Sequence, residues 1–146
     1  QSVAMMTQAL EARPDDKLLE IGTGSGYHAA IFSRIVKRVY TVERYHQLLN
    51  EAEIRFRRLG FNNIVTRHGD GRYGWKGQAP FDRIIITCGV KSVPNSLMAQ
   101  LAPGGRLVAA IKGQLTVLTY DGVLPEEKAI LPLELPPIET GKSQVL

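Results

Sequence analysis

The sequence predicts an α/β protein built on an open, mostly parallel β-sheet. Short apolar runs alternate with segments of helical periodicity along the 146 residues. The segment FDRIIITC contains the run Ile84-Ile85-Ile86, which is apolar on both faces, as is typical of a buried parallel strand. Crossovers between parallel strands are right-handed, so the order of elements is expected to place helices on both faces of the sheet.

The first half of the chain alternates predicted helices and strands. MMTQALEA is a predicted helix stopped by Arg13-Pro14, and KLLEIG is a predicted strand. A helix is expected from Tyr27 to Lys37, and RVYTVE is a β-branched strand that ends at Glu43. The segment from Tyr45 to Leu59 is a predicted helix closed by Gly60, and NIVTR is the third strand.

The second half adds four strands and one short helix. FDRIIITC is the fourth strand, and a short helix is expected from Pro94 to Leu101. GRLVAAI, QLTVLTY and KAILPL are three further strands, and the alternation in QLTVLTY favours an antiparallel pairing. Residues 134–146 are Pro-rich and are expected to form an irregular arm. We expect the whole of 1–146 to form one domain.

Composition narrows the classes of partner. The net charge of +4 is modest and the basic residues are dispersed, so no nucleic-acid partner is expected. The single cysteine, Cys88, excludes an internal disulfide and a cysteine-cluster metal site, and we expect no metal. No apolar run approaches a membrane span, so we expect no membrane partner, and no secretory signal is visible. The lone cysteine favours a reducing cytosol, and we expect a cytoplasmic protein. The oligomeric state is not predictable.

Four segments are expected to meet at one edge of the sheet. The stretches 22–26, 69–71 and 87–89 and the residue Glu43 each lie at or just beyond the carboxyl end of a predicted strand. Ligands of open α/β sheets bind outside these carboxyl ends, where the strand order reverses. The sequence therefore predicts a ligand-binding crevice at this edge.

The glycine turn in LEIGTGSGYHAA limits the kind of ligand. A phosphate-binding P-loop requires GxxxxGK[ST], and no lysine follows these glycines, so we reject it. The GxGxG spacing is one residue shorter than the GxGxxG fingerprint of dinucleotide sites, which leaves NAD or FAD as a weaker alternative. A third candidate is S-adenosylmethionine, a nucleoside with a short zwitterionic tail, which needs the close backbone approach that glycines permit.

Acidic residues at the strand ends favour this third candidate. Glu43 ends the second strand, and a carboxylate there can accept hydrogen bonds from both ribose hydroxyls. Asp70 follows the third strand and is placed for the exocyclic amine of an adenine. Glu20 lies inside an apolar run, where a carboxylate is costly unless it is hydrogen-bonded. We expect Glu20 to bond the glycine loop or to face the amino group of the cofactor.

Several of these stretches together resemble one family. LLEIGTGSGYHAA, VYTVER, NIVTRHGDGRYGW, APFDRIIIT and LAPGGRLV are similar to protein-L-isoaspartate O-methyltransferases over about Val3 to Leu118. The resemblance implies the seven-stranded, Rossmann-like class I methyltransferase fold and a cytosolic enzyme. It implies methyl transfer from S-adenosyl-L-methionine to the α-carboxylate of L-isoaspartyl residues in damaged proteins, leaving S-adenosyl-L-homocysteine. The implied partners are isoaspartyl-containing peptides and proteins.

The resemblance and the strand ends together give a set of candidate site residues. Cofactor contacts are expected from Glu20, Gly22, Thr23, Gly24, Ser25, Gly26, Glu43, Arg44, Asp70, Gly71 and Thr87. Contacts on the acceptor side are expected from Cys88, Gly89 and Val90. No catalytic base is expected, because the acceptor carboxylate is already ionised at neutral pH.

The chain departs from the family pattern on the acceptor side. The Ile-Ser-x-Pro segment of the family, whose serine lies near the substrate, would fall upstream of Gln1, so no catalytic residue is assigned. The family's Ala-Ala-Ala after Thr87 is replaced by Cys88-Gly89-Val90, and Val-Arg-Phe-Val-Pro-Leu is replaced by residues 133–138. Two interpretations stay open. The chain is a repair enzyme seen without its N-terminal region, or it is a relative that methylates another acceptor (a small molecule or RNA) or binds the cofactor without catalysis.

Overall fold

The computed structural model of this chain describes residues 2–142, with side chains described from residue 4 onward. The strands are β1 (Lys17–Ile21), β2 (Arg38–Glu43), β3 (Ile64–His68), β4 (Phe81–Val90), β5 (Leu101–Ile111), β6 (Gln114–Tyr120) and β7 (Pro125–Pro132). The helices are α1 (Ser2–Leu10), α2 (Tyr27–Ser33), α3 (His46–Arg58) and α4 (Asn95–Met98). Two short 3₁₀ turns, Gly71–Tyr73 and Lys76–Gln78, lie between β3 and β4.

The strands form one sheet in the order β3-β2-β1-β4-β5-β6-β7. The first five strands of the chain are mutually parallel, and β6 runs antiparallel to both β5 and β7. This confirms the predicted α/β class, the seven strands and the antiparallel pairing of QLTVLTY. The chain leaves β1 toward β3 on one side and returns through β4 on the other. The strand order therefore reverses between β1 and β4, which is where ligands of such sheets bind.

Helices cover both faces of the sheet, as predicted, but unequally. Helices α1, α2 and α3 pack on one face, where Met6, Phe32 and Phe56 belong to the same buried cluster as Leu18 and Ile85. On the other face α4 and the segment after β3 cover a second cluster that includes Leu19 and Leu97. The alternation of β1 side chains between the two clusters is the period of two expected of a strand buried on both sides.

Helix α2 is shorter than its sequence pattern predicts. The pattern indicated a helix to Lys37, whereas α2 ends at Ser33. The amide of Asn63, just before β3, donates to the carbonyl oxygens of Ser33 (2.8 Å), Val36 (3.4 Å) and Lys37 (3.3 Å). These carbonyls are therefore satisfied without further helical turns, and the chain turns early into β2.

Other boundaries move for similar long-range reasons. The expected helix from Pro94 to Leu101 is reduced to α4, because Leu101 already pairs with Phe81 at the start of β5. Strand β7 begins at Pro125, three residues before the predicted KAILPL. The predicted irregular arm is described as far as residue 142, and within that part it forms one parallel bridge, between Pro137 and Gly89.

None of the described helices is long and apolar enough to cross a membrane.

Candidate functional site

A crevice of about 360 Å³ lies at the carboxyl ends of β1, β2 and β4, where the strand order reverses. Its volume is within the range of small-molecule sites. The walls combine the glycine turn, the ends of the central strands and the C-terminal arm: Ile21, Gly22, Gly24, Val42, Glu43, Arg44, Tyr45, Leu48, Gly71, Thr87, Cys88, Pro136, Pro137, Ile138 and Glu139. The convergence of strand ends predicted from the sequence is therefore present in the structure.

The glycine turn follows β1 directly and leads into α2. Gly22, Gly24 and Gly26 all have positive φ, at 99°, 53° and 89°. A Cβ added to Gly24 would meet no atom of the described part of the chain within 4 Å, and Gly24 lines the crevice. A bound molecule can thus approach the backbone of this residue closely.

Gly26 has a different role, in packing. A Cβ at Gly26 would lie 2.8 Å from the ring of Phe56 on α3. Gly26 and Ser25 line a separate cavity of about 230 Å³ between α2 and α3, outside the crevice. The predicted cofactor contacts of these two residues stay predictions.

Gly26→Ala is expected to destabilise the protein by about 2 kcal/mol or more, since a left-handed alanine and a crowded ring each cost about 1 kcal/mol or more. Gly60→Ala is the matched control, because Gly60 also has positive φ (76°) and a Cβ there would meet nothing within 4 Å. Urea unfolding of both variants measures the difference. Equal losses of stability would show that the contact with Phe56 contributes nothing.

Glu43 ends β2 and presents its carboxylate to the crevice. The backbone N–H of Gly24 donates to Oε1 at 2.8 Å, and the N–H of Tyr45 donates to Oε2 at 3.0 Å. Each carboxylate oxygen can accept more than one hydrogen bond, so both keep capacity for a ligand. The side chain is thereby held in place by two backbone N–H groups, and its remaining capacity to accept is suited to a vicinal diol.

Glu20 lies beneath the glycine turn and does not line the crevice. It is fully buried, Thr41 donates to its Oε1 at 2.7 Å, and within residues 2–142 Oε2 has no hydrogen-bond partner. Burial raises the pKa of Glu20 to about 8, and the nearby charge of Glu43 adds to this effect. Glu20 is therefore neutral at pH 7. Its contact with the loop is indirect, through Thr41.

Thr87 and Cys88 form the floor of the crevice on β4. The hydroxyl of Thr87 lies 2.6 Å from the carbonyl oxygen of Ile21 and 3.1 Å from that of Gly22, and donates to them. It thereby fixes the end of β1 against β4 at the start of the glycine turn. Thr87 is a wall residue of the crevice, as predicted, with its hydroxyl proton engaged by the protein.

Cys88 lines the crevice as a neutral thiol. Burial, with a further contribution from the negative charge of Glu43, raises the pKa of this thiol to about 11.

We expect native Cys88 to react with iodoacetamide at pH 8 about tenfold or more slower than free cysteine. At this pH the raised pKa leaves only a small fraction of Cys88 as the reactive thiolate. A thiolate of higher pKa is a stronger nucleophile, but this gain offsets the small fraction only in part. Mass spectrometry can follow this single cysteine, with the urea-unfolded chain as control. A native rate equal to that of the unfolded chain would contradict the assignment.

Residues 136–139 of the C-terminal arm form one wall of the crevice. The N–H of Gly89 donates to the carbonyl oxygen of Pro136 at 2.7 Å, and the N–H of Ile138 donates back to Gly89 at 2.9 Å. The N–H of Gly89, a residue expected to contact the acceptor, is therefore engaged by the arm. Val90 is buried and does not line the crevice, and its carbonyl oxygen accepts from the N–H of Lys112 in the turn between β5 and β6.

Arg44 anchors the far end of the arm. Its guanidinium donates to Glu139 (3.2 Å) and to the carbonyl oxygens of Thr140 (2.9 Å) and Gly141 (3.1 Å). The hydroxyl of Tyr45 also donates to the Glu139 carboxylate. Arg44 lines the crevice, but its hydrogen-bonding groups are directed at the arm, and its predicted contact with a cofactor stays a prediction.

Asp70 does not line the crevice, whereas its neighbour Gly71 does. The Asp70 carboxylate forms an ion pair with Arg72 at 2.7 Å and accepts from the N–H of Gly141 at 2.8 Å. The hydrogen bonds from Arg72 hold the pKa of Asp70 below its usual range. In this arrangement the carboxylate predicted to bind an adenine amine is engaged by Arg72 and by the arm.

Sequence reasoning missed three groups of wall residues. Ile21 and Val42 end or nearly end β1 and β2, and Tyr45 and Leu48 lie just before and within the first turn of α3, so the proximity of these four residues could have been predicted. The arm residues 136–139 carried no comparable signal, because their place depends on a pairing with Gly89 across a sequence separation of nearly 50 residues.

The crevice fits a nucleoside carrying a short polar tail. Glu43 offers two acceptors to a ribose, and the apolar side chains of Ile21, Val42 and Ile138 offer a surface to a base. The open backbone at Gly24 leaves room for the tail.

Comparison with known proteins gives a consistent result. A family model described as protein-L-isoaspartate(D-aspartate) O-methyltransferase matches residues 1–121. The protein-L-isoaspartate O-methyltransferase of Desulfosudis oleivorans is 62% identical over 109 residues, which cover 75% of this chain and 49% of that protein. That of Caulobacter vibrioides is 51% identical with the same coverage. The chain thus spans about half the length of the curated relatives it matches.

Solved structures agree with these matches. A structure described as a protein-L-isoaspartate O-methyltransferase superposes with a TM-score of 0.85 at 27% identity, covering 94% of this chain and 46% of that one. A Plasmodium falciparum structure of the same description, in complex with S-adenosyl-L-homocysteine, gives a TM-score of 0.73 at 18% identity, covering 94% and 71%. At 18% identity, the match to the Plasmodium falciparum structure shows only that the two chains share a fold.

Proposed function

This chain belongs to the protein-L-isoaspartate(D-aspartate) O-methyltransferase family, and on that basis we propose that its crevice binds S-adenosyl-L-methionine and serves methyl transfer to the α-carboxylate of L-isoaspartyl residues. The observation that carries the proposal is Glu43, which lines the crevice at the end of β2 and whose two carboxylate oxygens each accept one backbone N–H and can each accept a further hydrogen bond. Because the chain spans about half the length of its curated relatives, its activity and its substrate are both part of the proposal.

Glu43 and the glycine turn hold the cofactor in this proposal. The Glu43 carboxylate accepts from the two ribose hydroxyls, and hydrogen bonds to a charged acceptor are worth about 1.5–3 kcal/mol each. Gly24 lets the tail of the molecule lie against the backbone. Gly71 and the apolar wall formed with Ile138 receive the base.

The chemistry requires little acid or base from the protein. The bound S-adenosyl-L-methionine supplies an electrophilic methyl group on a sulfonium. The acceptor carboxylate is ionised at neutral pH, so the crevice has to align it and exclude water. Cys88 stays protonated, because the pKa of its thiol is raised to about 11, and it therefore presents no competing thiolate nucleophile.

The proposed partners are peptides and proteins that contain isoaspartyl residues. We propose a cytoplasmic location, which the family resemblance and the free thiol of the single cysteine support.

A methyl-transfer assay tests the proposed activity. The chain is incubated with radiolabelled S-adenosyl-L-methionine and either an L-isoaspartyl peptide or the same peptide with aspartate, and base-labile methyl ester is counted. Ester on the isoaspartyl peptide alone is the expected result. Cofactor binding without ester on either peptide would count against the activity.

A second function, cofactor binding without isoaspartyl transfer, is favoured by one specific contact. The N–H of Gly89, on the acceptor side, is occupied by the carbonyl oxygen of Pro136. In this alternative the arm permanently covers the acceptor side, and the crevice binds the cofactor without turnover. The same assay, combined with a binding measurement, separates the two functions.

A further inference from the structure

Hydroxyl groups connect the glycine turn to the buried carboxyl group of Glu20. The hydroxyl oxygens of Thr23 and Thr41 lie 2.6 Å apart, and the Thr41 hydroxyl donates to Glu20 Oε1 at 2.7 Å. All three side chains are buried. They join the turn after β1, the middle of β2 and the interior of β1 in one continuous chain of hydrogen bonds.

Thr41 is the middle member of these hydrogen bonds. Its hydroxyl oxygen lies within hydrogen-bond distance of both the Thr23 hydroxyl (2.6 Å) and Glu20 Oε1 (2.7 Å). A hydroxyl group can accept one hydrogen bond while it donates another, so Thr41 can bond to both neighbours at once. Removing the Thr41 hydroxyl therefore breaks both bonds.

Thr23 stands between two residues that cannot anchor the turn by side chains. Gly22 and Gly24 flank it, both with positive φ, so the Thr23 hydroxyl is the side-chain link from this part of the turn to the sheet. The N–H of the next residue, Gly24, donates to Glu43 at 2.8 Å. A displacement of Thr23 would therefore move the donor that orients the Glu43 carboxylate.

We propose that Thr41 is a positioning residue of the cofactor site, because it ties Thr23 of the glycine turn to buried Glu20 and so holds the turn and Glu43 in the geometry that receives the cofactor. This inference rests on the proposed function, in that it assumes that the crevice binds S-adenosyl-L-methionine. Thr41 itself does not line the crevice and acts through Thr23 and Gly24.

The surroundings of Glu20 are consistent with a fixed anchor. Glu20 lies in the centre of the sheet, where β1 pairs with β2 on one side and β4 on the other. Its Oε2 faces the Nδ1 of His28 at 3.8 Å. Because Glu20 is held in the protein interior, a hydrogen bond to it restrains Thr41 and, through Thr41, the turn.

Calorimetric titration with S-adenosyl-L-homocysteine tests the role. Thr41→Val is expected to raise the Kd about tenfold, which corresponds to about 1.4 kcal/mol. Thr41→Ser keeps the hydroxyl and is expected to restore the wild-type Kd. Thr116→Val is the matched control, because Thr116 is a buried strand threonine on β6 whose hydroxyl donates at 3.0 Å to the backbone of Gln114, away from the crevice.

A second variant covers the case in which Thr41→Val does not fold. Thr23→Ala removes the same link from the turn side and leaves the Thr41–Glu20 bond intact, and a similar rise in Kd is expected. Wild-type Kd values for Thr41→Val or for Thr23→Ala would overturn the positioning role. If the wild-type chain itself does not bind S-adenosyl-L-homocysteine, the proposed function fails, and the role of Thr41 in it fails as well.

Discussion

Glu43→Ala is expected to weaken binding of S-adenosyl-L-homocysteine by about 3 kcal/mol, a factor of roughly 150 in Kd. The variant removes both acceptors that face the crevice. It also leaves the N–H groups of Gly24 and Tyr45 without the carboxylate they donate to, so the turn and the start of α3 lose their common anchor. Calorimetry on the purified chain measures the effect directly.

The control for this variant is Glu126→Ala, which removes an exposed carboxylate on β7, outside the crevice. Both variants change the net charge by one unit, but only Glu43→Ala removes a carboxylate from the crevice. The Kd of Glu126→Ala is therefore expected to match that of the wild type. A Glu43→Ala chain that is folded and binds as tightly as the wild type would remove Glu43 from the site.

The stability of the protein is expected to fall as the pH rises from about 5 to about 8 because of Glu20. Burial raises the pKa of Glu20 from 4.5 to about 8 in the folded chain. Between these values the unfolded chain releases this proton and the folded chain keeps it, so rising pH favours unfolding. The contribution is fully present below pH 4.5 and is lost as the pH rises to about 8, with a slope of up to about 1.4 kcal/mol per pH unit.

Glu20→Gln removes the titration of Glu20. His28, whose pKa is lowered by burial and whose Nδ1 lies 3.8 Å from Glu20, acts in the opposite sense below its ordinary pKa and is present in both proteins. The free energy of unfolding is measured in urea at several pH values, and that of Glu20→Gln is expected to fall less than that of the wild type as the pH rises. Glu126→Gln changes an exposed residue, and its free energy of unfolding is expected to depend on pH as that of the wild type does. Parallel curves for Glu20→Gln as well would mean that Glu20 is ionised in the folded protein.

Residues that belong to single strands were predictable from the sequence. The apolar run Ile84–Ile86 identified β4, and Glu43 followed from the end of a β-branched strand. The glycine turn followed from its position between a strand and a helix. These features depend on local patterns and on the rule that ligands bind at the carboxyl ends of parallel strands.

Features that depend on distant pairings were not predictable. Helix α2 ends early because the side-chain amide of Asn63 donates to the carbonyl oxygens of Ser33, the last residue of the helix, and of Val36 just beyond it, 30 and 27 residues earlier in the chain. The Asp70 carboxylate turns to Arg72 and to Gly141, which lies 71 residues further along the chain. Neither contact has a periodic signature, since each depends on where the folded sheet brings a loop or the arm.

The central claim, that the crevice between β1, β2 and β4 is a site for S-adenosyl-L-methionine, is tested most directly by calorimetric titration of the wild-type chain with S-adenosyl-L-homocysteine and, separately, with NAD. We predict saturable binding of one S-adenosyl-L-homocysteine per chain and no binding of NAD. Absence of S-adenosyl-L-homocysteine binding, or tighter binding of NAD, would contradict the assignment of Glu43 and the glycine turn to this cofactor.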